Sequence, residues 1–382
     1  MKKSLNYTGL ILLAVFLIFN GWVVFSGKQY FYKALLYNFA DIDDYKLFSN
    51  RTIDKSSTPI PWAISKNYNK KNISDSLRKK LTALETIAVL IIKNDTIDYE
   101  EYWNGYNDSS FSNSFSMAKS YVSALTGIAL QEGQLKSINE PICDYLPEFC
   151  EGDKKKITIR HLLTMSSGLN WKEGYSSPFS PTTEAYYGTD LKKLMSTLKS
   201  IEEPGKIFRY KSGDTQLLSF ILEKATGKKI SDYTREKLWE PLGCENKALW
   251  SLDKDNGDEK AYCCINSNAR DFAKFGKLFL DSGRVKEKQL VSLDYLLKSI
   301  QPNYLPDGDL DMKKADFYGY QWWTIPNYKG HPIFYARGIL GQYIIVVPDL
   351  KTIIVRLGKK RGAPVGKHYE EVFLLLDEVL SR

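Results

Sequence analysis

The sequence predicts an α+β fold: one antiparallel sheet made from strands at both ends of the chain, flanking helices, and an inserted, mainly helical subdomain at about residues 116–300. Three observations predict it. Residues 86–92 and 96–102 are strand-like runs on either side of Asn94-Asp95, a two-residue turn signal, and read as a hairpin. Residues 333–336, 343–347 and 352–356 read as three more strands, the last two turning at Pro348-Asp349. Between these groups the pattern is largely helical, and residues 369–380 close the chain with an amphipathic stretch.

Taken in order, residues 7–25 are an almost uninterrupted apolar stretch of 19 residues preceded by Lys2 and Lys3, long enough to span a bilayer. The positive flank at its amino end puts the rest of the chain outside the cytoplasm. No convincing small-x-small cleavage site lies near Val24-Phe25-Ser26-Gly27, which favours an uncleaved anchor over a removed signal; cleavage would give a secreted protein. The expected organisation is an anchor or signal over 1–27, a tether over 28–80 and a catalytic domain over 81–382. With 382 residues, 43% apolar and 26% charged, the chain suffices for a substantial core. The net charge of +8 is spread along the chain and matches no nucleic-acid motif, so DNA or RNA binding is not expected.

The chemistry concentrates at Ser116-Met117-Ala118-Lys119. A serine and a lysine three apart on a helix face the same way, so the amine of Lys119 can activate the hydroxyl of Ser116. The same spacing recurs at Ser76/Lys79, Ser196/Lys199 and Ser251/Lys254, but those lie in charged or polar stretches. Ser116 instead follows a small polar loop and opens the apolar run 121–130, which stops at Gly133; burial there lowers a lysine pKa. A second element, Tyr210-Lys211-Ser212, stands at a loop-to-helix junction, and a third, Gly338-Ile339, starts a strand where backbone N–H groups can approach a ligand.

The order of S-x-x-K, then Y-x-S in place of Y-x-N, then a small residue and glycine on a strand resembles the serine β-lactamase and penicillin-binding-protein superfamily. More narrowly it resembles the class C-like branch of esterases, D-aminopeptidases, carboxypeptidases and 6-aminohexanoate-oligomer hydrolases. Supporting stretches occur at 157–169, 230–243 and 269–276, so the likeness runs collinearly over about 81–382. It implies Ser116 as the acylated nucleophile, Lys119 as its activator, Tyr210 as general base or proton shuttle, and Ser212 as a hydrogen-bonding partner. It also implies an oxyanion hole made by the N–H of Ser116 and one beside Gly338, a substrate-contacting tyrosine at about Tyr175, and no metal or organic cofactor. One departure bears on substrate: Ala336 stands where penicillin-recognising members usually carry Lys or His, with Arg337 next, so an amide or ester lacking the penicillin-type carboxylate is expected.

Alternatives remain open at this point: a D,D-carboxypeptidase or β-lactamase acting on cell-wall peptides or penicillins, and a non-catalytic cell-envelope sensor that kept the fold. Five cysteines in an oxidising compartment should pair in part, with Cys143–Cys150 as one loop and Cys244 with Cys263 or Cys264 as another. Their spacing fits no zinc site, and His161 reads as a helix-capping residue. The aromatic loop at 171–187 reads as a lid suited to a linear, largely apolar substrate.

Overall fold

The computed structural model describes residues 2–382, with side chains described from Tyr7 onward. The chain begins with helices α1 (Lys2–Phe25) and α2 (Tyr30–Tyr37), strands β1 (Asn50–Ile53) and β2 (Ala63–Ile64), and helix α3 (Asp75–Ala83). The hairpin of β3 (Thr86–Lys93) and β4 (Thr96–Tyr102) follows, then the short β5 (Ser112–Asn113) and helix α4 (Ala118–Gln131). Asn94 and Asp95 both have positive φ (48° and 62°), the conformation a tight two-residue hairpin demands.

The middle carries helices α5 (Pro181–Tyr187) and α6 (Ser212–Thr226), strands β6 (Ala248–Ser251) and β7 (Ile265–Ser267), and helix α7 (Ala269–Leu280). The end supplies β8 (Trp323–Tyr328), β9 (His331–Gly338), β10 (Gln342–Val347), β11 (Thr352–Gly358) and helix α8 (Glu370–Leu380).

The main sheet has seven strands in the order β8-β9-β10-β11-β3-β4-β2, so strands from both ends meet where β11 pairs antiparallel with β3. Only β2, alongside β4, is parallel. Alternation along these strands divides the core. Ala88, Leu90, Val346, Ile353 and Val355 face the layer that contains α4 and α7, whereas Val89, Ile91, Ile345 and Ile354 face Leu77 and Leu81 of α3 and Leu375 and Leu376 of α8. Both faces of β3 are therefore covered, which explains why its sequence is apolar at nearly every position.

Two expectations need correction. Residues 28–80 are not a free tether: Tyr30, Phe31, Ile42 and Ile53 are buried, β1 pairs with β6, and β2 joins the main sheet. The mainly helical middle also supplies β6 and β7 to a second, four-stranded sheet in the order β1-β6-β7-β5. Cys143 does pair with Cys150, but Cys263 pairs with its neighbour Cys264, and Cys244 is a free, buried thiol. Cys244 is held apart by its own surroundings, its backbone bonded to Trp239 and Ser56 and its side chain lying near Tyr121. His161 caps its helix as expected: its Nδ1 accepts from the Thr158 N–H, and the Thr158 hydroxyl accepts from the His161 N–H.

Candidate active site

Helix α4 is apolar and buried along almost its whole length, and it ends in a Schellman arrangement. Gly133 has φ 74°, its N–H donates to Leu130 O, and the Gln134 N–H donates to Ala129 O. One turn before its first residue, Phe115 is forced to φ 42°, a strained value for a bulky side chain. The turn is held from several directions: the Phe115 N–H donates to Asn113 Oδ1 (2.9 Å), the Ile265 N–H to Ser114 Oγ (3.1 Å) and the Ser114 N–H to Ile265 O (2.7 Å). This over-determined turn sets Ser116 at the floor of a pocket.

Lys119 lies behind it, 1% exposed. Its Nζ is 3.1 Å from Ser116 Oγ, 3.1 Å from Ser212 Oγ and 2.8 Å from the Tyr262 carbonyl oxygen. Burial pushes the amine down to about 8, against the opposing pull of the Glu173 carboxylate. Tyr210 lies beside this pair, its ring 5.2 Å from Lys119 Nζ and packed on Trp323 and Tyr318. Burial first, and the charge of Glu173 second, hold its phenol well above the ordinary tyrosine range, so it stays protonated at neutral pH.

From the opposite side, Gly338 at the end of β9 approaches the Ser116 turn so closely that a Cβ there would stand 2.2 Å from Ser114 O. Glycine is required by that contact. Ser116, Tyr175, Ser212, Ile339 and Tyr262 line one pocket. Ser116, Lys119, Tyr175, Tyr210, Ser212, Gly338 and Ile339 thus gather at a single place.

Four features were not foreseen. Glu173 ties the site together: its Oε1 accepts from the hydroxyls of Ser212 and Tyr175 (both 2.7 Å), and its Oε2 accepts from the Ser212 N–H (2.8 Å) and the Trp171 indole (2.7 Å). The carboxylate therefore caps the amino end of α6, where the helix dipole favours negative charge. Its only sequence signal was an acid inside an aromatic loop.

Cys263 lines the pocket beside Tyr262. Asn38, Phe39 and Ala40, from the expected tether, also line it. Arg361, in the loop after β11, lines the pocket, and Arg337 does not. Arg337 is held against the Trp323 ring (3.2 Å) and donates to Lys367 O (2.6 Å). No group of histidines, cysteines or carboxylates capable of holding a metal occurs among the described residues.

A two-part α+β body with a serine and a buried lysine at the junction of sheet and helices has the architecture of the serine hydrolases. A family model described as beta-lactamase matches residues 75–376, and the chain belongs to that family. It is a serine hydrolase of the β-lactamase-related type. The 6-aminohexanoate-dimer hydrolase of Paenarthrobacter ureafaciens is 24% identical over 296 residues, covering 74% of each chain. Among solved structures, a putative 6-aminohexanoate-dimer hydrolase from Bacillus anthracis superposes with a TM-score of 0.77 at 22% identity, over 89% of this chain and 92% of its own. A family VIII carboxylesterase superposes with a TM-score of 0.63 at 14% identity, over 84% of this chain and 98% of its own. These two superpositions establish shared fold.

Proposed function

We propose that this protein is a membrane-anchored, outward-facing hydrolase that cleaves an amide or ester through an acyl-enzyme on Ser116. The observation that carries the reading is the 3.1 Å contact between Ser116 Oγ and the buried amine of Lys119 at the floor of the pocket. In its neutral form the amine donates to Tyr262 O and Ser212 Oγ and offers its lone pair to the Ser116 hydroxyl. Ser116 Oγ attacks the substrate carbonyl and its proton passes to Lys119. The new C–O bond forms, the bond to the leaving oxygen or nitrogen breaks, and Tyr210 delivers a proton to that leaving group. Tyr210 is the donor rather than the base because its phenol remains protonated, and it recovers its proton from Lys119. Water then hydrolyses the Ser116 ester, releasing the acid and restoring the serine. The N–H groups of Ser116 and Ile339, beside Gly338, receive the developing oxyanion. Anchoring rests on the apolar helix at Tyr7–Phe25.

Intact-protein mass spectrometry after separate incubation with a fluorophosphonate, a p-nitrophenyl ester and a penicillin tests this. A fluorophosphonate adduct mapping to the peptide with Ser116 is expected, and an adduct on any other residue would refute the assignment. A penicillin adduct would move the substrate class to cell-wall peptides.

Glu173 acts here as a positioning residue, orienting Ser212 and holding positive charge on Lys119. In Glu173→Gln the two hydroxyls can rotate to accept from the new amide, so the network survives, but the negative charge is gone. Because that charge raises the Lys119 pKa, its removal is expected to move the acid limb of the kcat/KM profile below its parental midpoint near pH 8. An unshifted limb with reduced activity would leave Glu173 a purely structural role.

A further inference from the structure

Helix α2 carries apolar residues on two faces, with Lys33 its one charged side chain. Tyr30, Phe31 and Ala34 bury one face against the body. The other face presents Tyr32, Leu35 and Leu36, with Phe39 just beyond the helix, a helical stripe in which Leu35, Leu36 and Phe39 are 61%, 74% and 67% exposed. A helix with two apolar faces needs a second apolar medium.

The position of α2 indicates which medium. It folds back on the end of α1, with the Phe31 ring edge-on to Trp22 (5.2 Å) and Phe19 (6.4 Å) and the Tyr32 hydroxyl donating to Asn20 Oδ1 (2.7 Å). Phe19 and Trp22 lie six and three residues before Phe25, the end of the apolar stretch. At about 1.5 Å per residue, α2 therefore rides roughly 5–9 Å inside that end. Interfacial helices bury to about this depth, 5–10 Å. Phe179 of the 171–187 loop packs on Phe31 (5.0 Å) and Trp22 (6.3 Å), and Phe39 belongs to both the exposed stripe and the pocket lining. The pocket mouth and the membrane-facing stripe are thus continuous.

We propose that the pocket opens onto the bilayer surface and takes from it an amphiphilic substrate, a long-chain acyl ester or amide whose hydrocarbon chain enters past Phe39. The proposal rests on the anchored Ser116 hydrolase described above and names its substrate class. Aromatic walls at Tyr175, Tyr186 and Tyr187 suit the chain, and Arg361 at the rim suits an anionic headgroup. Attack by Ser116 Oγ joins the acyl group to the serine and breaks the bond to the headgroup oxygen or nitrogen, which departs with a proton; water then frees the fatty acid.

The test uses the full chain in phosphatidylcholine–phosphatidylglycerol vesicles, with p-nitrophenyl palmitate dissolved in the bilayer and p-nitrophenyl acetate in the water. The variant Leu35→Ser/Leu36→Ser alters only the exposed stripe. It is expected to lose about tenfold or more of palmitate hydrolysis while acetate hydrolysis, which also reports folding, is unchanged. A parent enzyme that turns over acetate but not palmitate, or a variant with parental rates on both, would overturn the membrane-substrate proposal alone. Absence of both activities together with no fluorophosphonate adduct on Ser116 would overturn the hydrolase reading beneath it.

Discussion

Ser116→Ala is expected to lower ester hydrolysis by about 10⁴-fold or more and to erase the fluorophosphonate adduct, with the melting temperature nearly unchanged. The alcohol is the one atom whose loss removes the covalent route altogether. What remains is the contribution of binding and of the oxyanion donors, about 10³-fold over water in other serine hydrolases. The fold should tolerate the change. Ser116 is only half-buried, and in its absence Lys119 keeps the Ser212 hydroxyl and the Tyr262 carbonyl as acceptors. Steady-state kcat/KM with a p-nitrophenyl ester, beside a thermal melt, decides the matter, and a rate within tenfold of the parent would transfer the nucleophile to another residue.

Lys119→Met is expected to cost about 10³–10⁴-fold in kcat/KM and to remove the acid limb of its pH profile. In the proposed mechanism the base is the neutral amine, whose pKa burial lowers to about 8. The sign follows directly. Below pH 8 the active fraction falls about tenfold for each unit of acidification, and above it activity levels off. Methionine matches the length and volume of the lysine stem but carries no titrating nitrogen, so its residual activity should lose this limb. Its stability change should be small. The Ser212 hydroxyl and Tyr262 carbonyl lose a donor, about 1–3 kcal/mol, while the penalty for burying a charge disappears. A retained limb with its midpoint near pH 8 would identify a different base.

Much of the site was legible because its decisive relations are local. Ser116 and Lys119 are three residues apart on one helical turn, so their contact follows from helix geometry before any tertiary packing. Tyr210 and Ser212 straddle the start of α6, the loop-to-helix junction expected of them, whereas Gly338, expected to start a strand, ends β9 instead. The hairpin at Asn94-Asp95 was legible for the same reason, since two positive-φ residues between apolar runs leave few other conformations.

The N-terminal segment misled because its signals are not periodic. Helix α2 carries apolar residues on both its faces, and β1 is only four residues long; its partner β6 lies far along the chain. Glu173 was invisible because a loop carboxylate acquires a role only when a helix end and two hydroxyls are brought to it. Cys244 is chemically the equal of the other cysteines, and only its tertiary placement near Tyr121 separates it from them.

By itself, then, the sequence determined the fold class and the Ser116/Lys119 pair, because 3.6 residues per turn and alternation along strands operate over a few neighbouring residues, and the order of its motifs carried the resemblance to the family. Tertiary structure decided the rest. It brought Tyr210, Glu173, Gly338 and Arg361 around the serine, depressed the pKa of Lys119 by enclosing it, and set Phe39 at the pocket mouth. Those outcomes depend on which distant surfaces exclude water from one another, and burial is a property of the assembled layers rather than of any segment.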